Sequence, residues 1–134
     1  MAGEIDLNTL LTQMKPMLHE EGYVFVSVPD FYEIDLAMVH STFKEKEGTT
    51  LILKKENADA LGLNYDYVVS CITLTVHSSL QAVGLTAAIS TALAANKISC
   101  NVVAAYYHDH IFVDQRDAKK AMNVLLKLTT NSKK

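Results

Sequence analysis

The sequence predicts an α+β protein built of two small, related lobes, and three observations carry that prediction. The second half alternates strand-like and helix-like apolar patterns in the order β-α-β-β-α. Leu51-Ile52-Leu53 followed by Ala58 is echoed 60 positions later by Ile111-Phe112-Val113 followed by Ala118, the mark of an internal duplication. At 134 residues and 49% hydrophobic, the chain suits one ordinary domain or two lobes that depend on each other. A second echo sets Gly22–Val26 against Ile98–Val103 at a shift near 77. The lobes are expected at residues 1–64 and 65–134, the first lacking an opening strand and the second a closing one. Strands around Ile34–Phe43 or Thr49–Leu53 would cross over to fill those gaps.

The elements follow from local patterns. Leu7, Leu10, Leu11 and Met14 share one helix face. Asp6 is the expected N-cap, Pro16 should kink or end the helix, and Gly22 is a later stop. Tyr23–Val28 reads as a strand, Ile34–Phe43 is strand-compatible, and Thr49–Leu53 is an aliphatic, β-branched strand. Asn57–Leu61 is a short helix closed by Gly62. Val68–Val76 is a Val/Ile/Thr-rich strand, and Gln81–Asn96 repeats apolar residues at helical spacing. Asn101–Tyr107 and Ile111–Val113 make two short strands around His108-Asp109-His110. Asp114 caps a last helix whose buried stripe is Ala118, Ala121, Met122 and Leu125.

Composition excludes several classes of function. The formal net charge is −3, and no basic run is longer than a pair such as the terminal Lys133-Lys134, which argues against a general nucleic-acid binder. No apolar run approaches a membrane span. The acidic start Met1–Asp6 has no hydrophobic signal core, so a cytoplasmic location is expected. Cys71 and Cys100, 29 positions apart without a CxxC spacing, favour reduced, buried thiols over a disulfide.

The most informative stretch is Val76 to Ile89, where a β-rich segment stops at His77-Ser78-Ser79 and a small-residue helix begins. A strand feeding a helix start presents unpaired N–H groups and the positive end of a helix dipole, a site for a carboxylate or phosphate. The residues expected at this pocket for a small anion-bearing ligand are Ser78, Ser79, Ala82, Val83, Gly84 and Leu85. Gly84 would let a ligand or a backbone approach closely. Ser78 or Ser79 acting simply as the helix N-cap is the alternative, and the two roles are compatible. Gly84, Ala87, Ala88, Thr91, Ala94 and Ala95 keep one side of this helix small, as close approach of another helix would require.

Ala82-Val83-Gly84-Leu85-Thr86-Ala87, then Leu93-Ala94-Ala95-Asn96-Lys97-Ile98-Ser99, then Asp109-His110-Ile111-Phe112-Val113 resemble, in order and spacing, the ACT-domain family. The aspartokinase-type ACT domains and small stand-alone tandem ACT proteins look closest. The match covers about Tyr67 to Leu128 well and the first half as a degenerate copy. The resemblance implies ferredoxin-like βαββαβ lobes, an antiparallel sheet with helices on one face. It further implies regulatory binding of an amino acid or related small metabolite at a lobe or subunit interface, in a homodimer. The sequence carries no kinase or other catalytic domain to be regulated.

Asn101 and Val102 are expected to open the strand beside the helix start, with Asn101 meeting an α-amino or α-carboxylate group by resemblance to the family's pocket. A turn asparagine is the alternative. Thr49 and Thr50 would close the pocket from the other lobe, or serve only as strand residues. His108-Asp109-His110 offers too few donors for a structural metal and reads as a solvated hairpin tip. No catalytic nucleophile, metal ligand set or cofactor motif is identifiable, so the expected function is a sensor or regulatory module and not an enzyme. The rival reading keeps the same fold without a ligand, as an interaction module for a partner enzyme.

Overall fold

The computed structural model describes residues 6–30, 33–75 and 84–132. Helix α1 (Leu7–Gln13) starts at Asp6, whose carboxylate accepts from the Thr9 N–H at 2.9 Å, as the sequence predicts. The chain then departs from expectation. Strand β1 runs from Pro16 to Val28, straight through Gly22, where a helix stop was expected. Proline cannot donate the bond that would continue the helix, and it holds the preceding residue extended. The expected Ile34–Phe43 strand is interrupted by a 3-10 turn, Leu36–Met38, capped by Asp35, and the paired strand of this segment is β2 (Ser41–Lys44). Then come β3 (Thr49–Lys54) and α2 (Lys55–Ala60), with Gly62 just beyond the helix at φ +69°, the left-handed stop the sequence implies.

The second half follows its pattern more closely. It comprises β4 (Val69–Leu74), α3 (Leu85–Ala95), β5 (Cys100–Ala104), β6 (Asp109–Asp114) and α4 (Ala118–Ser132). A 3-10 turn, Gln115–Asp117, leads into α4, and the Asp114 carboxylate caps it by accepting from the Arg116 N–H at 3.0 Å.

Six strands hydrogen-bond in the order β2-β3-β1-β4-β6-β5. The chain divides into two compact units: Glu20–Val69, and the described parts of Met1–His19 with Ser70–Lys134. In the first, β1 pairs antiparallel with β3 (Val24 opposite Leu53) and β3 with β2 (Phe43 opposite Thr50). Its core is Val24, Val26, Val28, Leu51, Leu53 and Ala58.

In the second unit the Pro16–His19 part of β1 lies beside β4, followed by β6 and β5. With β4 counted as the first strand, that order is 4-1-3-2, the ferredoxin-like arrangement. The closing strand therefore comes from neither Ile34–Phe43 nor Thr49–Leu53. It is supplied by the start of β1, which local signals disguise as helix. Its core packs Ile72, Leu74, Ile111 and Val113 of the sheet with Leu10 of α1, Leu85, Ile89 and Leu93 of α3, and Ala121 and Leu125 of α4. Met122, expected in the buried stripe, is half-buried against this core. Removing one such side chain, as in Leu93→Ala, costs about 2–5 kcal/mol.

The duplication is visible in the burial pattern. β3 and β6 expose and bury their six residues in the same order, and Ala58 and Ala118 are both buried behind them. The second echo does not hold. β1 is an inner strand between β3 and β4, whereas β5 ends the sheet and among the described residues pairs with β6 alone, so its counterpart is β2. The first lobe thus has its own opening strand, β1.

Candidate functional site

β4 ends at Leu74, and Thr75 is fastened by its N–H and its hydroxyl, both donating to the Lys15 carbonyl at 3.1 and 3.0 Å. Ser78, Ser79, Ala82 and Val83 lie in 76–83, outside the described residues. The structure resumes at Gly84, which occupies the N-cap of α3 at φ +95°, ψ −8° and offers no side-chain cap. The first intrahelical bond runs from the Ala88 N–H to the Gly84 carbonyl at 2.8 Å, so the N–H groups of Leu85, Thr86 and Ala87 precede the helical ladder. Ser78 or Ser79 as the N-cap of this helix is corrected accordingly, because the cap position belongs to Gly84. Leu85 itself is buried and joins the core with Leu74 and Ile111.

Asn101 and Val102 lie on β5, the strand that follows α3. α3 runs back along the sheet, about 16 Å for eleven residues, so the strand after it begins at the helix's C-terminal end. Asn101 pairs with Phe112 and is exposed, and Val102 pairs with Ile111 and packs on the helix-side core. Both lie two or three rungs from the Ala104–Asp109 end of the hairpin. Thr49, in the other unit, is buried at the head of β3, and the Thr50 hydroxyl donates to the Glu45 carboxylate.

The His108-Asp109-His110 segment is not the solvated tip that the sequence suggests. The exposed tip is Tyr106-Tyr107, stacked edge to face with centroids 4.9 Å apart. His110 reaches inward, its Nδ1 2.9 Å from the Thr73 hydroxyl, which lies 2.7 Å from Nε2 of His19. This row crosses β1, β4 and β6 on one sheet face. The sequence does not show it, because Pro16 there kinks or ends a helix and nothing local marks Pro16–His19 as strand.

Asp109 is buried, and burial pushes its carboxyl up from the ordinary carboxylate range, with His108 opposing. The neighbouring His108 Nδ1 is buried without a hydrogen-bond partner among the described residues. Burial also pushes the Cys71 thiol up to about 11 and raises that of Cys100, and both cysteines are free. Among the described residues no group of three or more His, Cys, Asp or Glu side chains is placed to hold a metal ion. No helix among them is long and apolar enough to cross a membrane.

A groove of about 400 Å³ lies between the last turn of α3 and one flank of α4. Asn96, Lys120, Lys127 and Asn131 rim it, and Val124 and Leu128 are among its apolar lining. It is at the opposite end of α3 from Gly84.

Comparison with known proteins places the whole chain. ACT-domain sequence profiles match residues 2–70 and 68–127. A Vibrio cholerae protein of unknown function, described as a possible transport protein, is 46% identical over 92% of this chain and 95% of its own, with a TM-score of 0.82. An Agrobacterium tumefaciens protein shares the fold at 16% identity, 87% and 90% coverage and a TM-score of 0.70. So does the ligand-free regulatory subunit of aspartate kinase from Thermus thermophilus, at 10% identity, 87% and 98% coverage and a TM-score of 0.60. No curated protein matches. With two successive ACT profiles and a near-full-length relative at this identity, the chain belongs to the ACT-domain family.

Proposed function

We propose that this protein is a regulatory sensor that binds an amino acid or a close relative. The observation that carries the reading is the start of α3: a helix of eleven residues whose N-cap is Gly84, with no side-chain cap among the described residues. Its first N–H groups, at the positive end of the helix dipole, suit a carboxylate. The ligand's carboxylate sits at Gly84–Ala87, with the Ser78 and Ser79 hydroxyls and the backbone of Ala82 and Val83 as further donors and contacts. The structural likeness to a regulatory subunit of aspartate kinase fits such a role. The protein works as a binding module, not as an enzyme, and in the cytoplasm.

Signalling follows from differential affinity, since a ligand that binds one arrangement more tightly shifts the population towards it. Two copies are expected to associate through β5, which ends the sheet and leaves one edge to be covered. A thermal-shift screen against the twenty standard L-amino acids tests the reading. A ligand at 100 times its Kd stabilises by about 2.7 kcal/mol, which moves the melting point of a chain this size by roughly 10 °C. One selective shift supports the sensor. A flat response at millimolar concentrations overturns it in favour of a ligand-free module for a partner enzyme.

A further inference from the structure

We propose that the groove between the last turn of α3 and the flank of α4 docks an acidic amphipathic helix of a partner protein. The site lies at the far end of α3 from Gly84 and stands independently of the sensor reading.

The case begins with the distribution of charge. The chain as a whole is acidic, with 15 Asp and Glu against 12 Lys and Arg. Yet α3 has no charged side chain, and α4 carries Lys119, Lys120 and Lys127 and no acid. Among the described residues none of these three ammonium groups has an ion-pair partner. Asp114, just ahead of α4, is taken by Arg116 at 3.5 Å. Helix surfaces ordinarily set acids and bases three or four positions apart, as α2 does with Lys55 and Asp59 at 2.8 Å. An exposed helix face with cations alone leaves that role to carboxylates from outside the chain.

Geometry turns this charge into a site. Lys120, Asn123, Lys127 and Asn131 recur at i, i+3, i+7 and i+11, so they form one exposed stripe along α4. At 1.5 Å per residue the stripe is about 16 Å long and sets the two lysines about 10 Å apart. Beside it lie Val124 and Leu128, both half-buried, and with Ala92 of α3 they line the groove of about 400 Å³. Ala121 and Leu125 fill the core from the opposite side of α4, so Val124 and Leu128 are a second apolar stripe that the fold covers only in part.

The α3 wall accepts an acid. Its last carbonyls are occupied: that of Leu93 accepts from the Asn96 and Ile98 N–H groups, both at 3.0 Å, and that of Ala94 from Lys97 at 2.9 Å. The negative end of the helix is thereby blunted. A long trough with cations a heptad apart and an apolar floor matches one face of a helix. Acids at i and i+7 with apolar residues at i+3 and i+4 repeat the same 10 Å spacing. A compact anion covers only a fraction of the stripe.

The probes are two synthetic amphipathic helices, identical except for glutamate or lysine at those i and i+7 positions. Each is titrated against the full chain and followed by fluorescence anisotropy and amide NMR. Wild type, Lys120→Glu, Lys127→Glu, the double variant and Lys119→Glu are compared. All three lysines are exposed, so the reversals leave the core intact, and Lys119 lies outside the groove lining. Wild type is expected to bind the glutamate helix, less tightly as salt rises, with amide shifts at Ala92, Asn123, Val124 and Leu128. The double variant should lose about tenfold in affinity for it and gain the lysine helix, and Lys119→Glu should lose much less. No binding of the glutamate helix at millimolar concentration, unchanged affinity in the double variant, or an equal loss in Lys119→Glu overturns the proposal. So do shifts of the same residues on raising the protein concentration alone, which assign the groove to a second copy. Shifts there with AMP and none with the peptide assign it to a small anion and overturn it as well. No outcome touches the amino-acid reading.

Discussion

The start of α3 gives the sharpest stability prediction. Gly84→Ala places a Cβ on a backbone held at φ +95°, ψ −8°. A left-handed conformation costs an L-residue about 1–2 kcal/mol, and strained positions range over about 1–3 kcal/mol. The new Cβ would also lie 3.2 Å from Cδ2 of Leu7. That atom ends a flexible, half-buried side chain, so it yields by a few tenths of an ångström and torsion dominates. At an unfolding entropy of about 2.1 cal/mol/K per residue, a chain of this length loses about 3.5 °C per kcal/mol. Thermal unfolding followed by circular dichroism should therefore show Gly84→Ala melting about 4–10 °C lower. Gly84→Asn should lose less, because asparagine tolerates the left-handed region. The cost should persist in a Leu7→Ala background if torsion is its cause and vanish there if the Leu7 contact is. A Gly84→Ala protein that melts with the wild type refutes the left-handed start of α3, and with it the glycine N-cap on which the binding reading depends.

Three further predictions concern groups away from Gly84. Burial holds the folded-state carboxyl of Asp109 above its unfolded value, so its stability contribution is fully present below the unfolded pKa and is lost as pH rises through the folded one. Ligand-free Asp109→Thr should hence melt above wild type at pH 7, with the gap closing as pH falls through the carboxylate range; a gap that does not change with pH counts against a buried, unpaired carboxylate. Thr73→Val removes both bonds of the His19–Thr73–His110 row and should cost about 1–3 kcal/mol in urea unfolding, with Thr73→Ser much milder; a valine variant as stable as wild type would show the row to be idle. Cys71 is fully buried with its thiol pushed up to about 11, so an aromatic disulfide reagent at pH 8 should label the half-buried Cys100 first and Cys71 only on unfolding. Rapid reaction of both thiols in the native protein would contradict that burial.

What could be read from the residues divides by the range of the forces involved. β3, β6 and the helices behind them were legible because alternation, turn residues and an alanine at fixed spacing are local signals. The Pro16–Gly22 stretch was not. Its prolyl break, paired glutamates and glycine resemble a frayed helix end, and only pairing with residues fifty or more positions away makes it a strand. The register of Asn101 opposite Phe112 is another pairing that no local pattern shows. Asp109 lay hidden in a polar-looking tripeptide, although the repeat could have revealed it. At a shift of 60 it falls on Thr49, the buried first position of the same strand. Where two copies of one fold bury a residue equally and only one of them is charged, packing cannot be the reason for the charge.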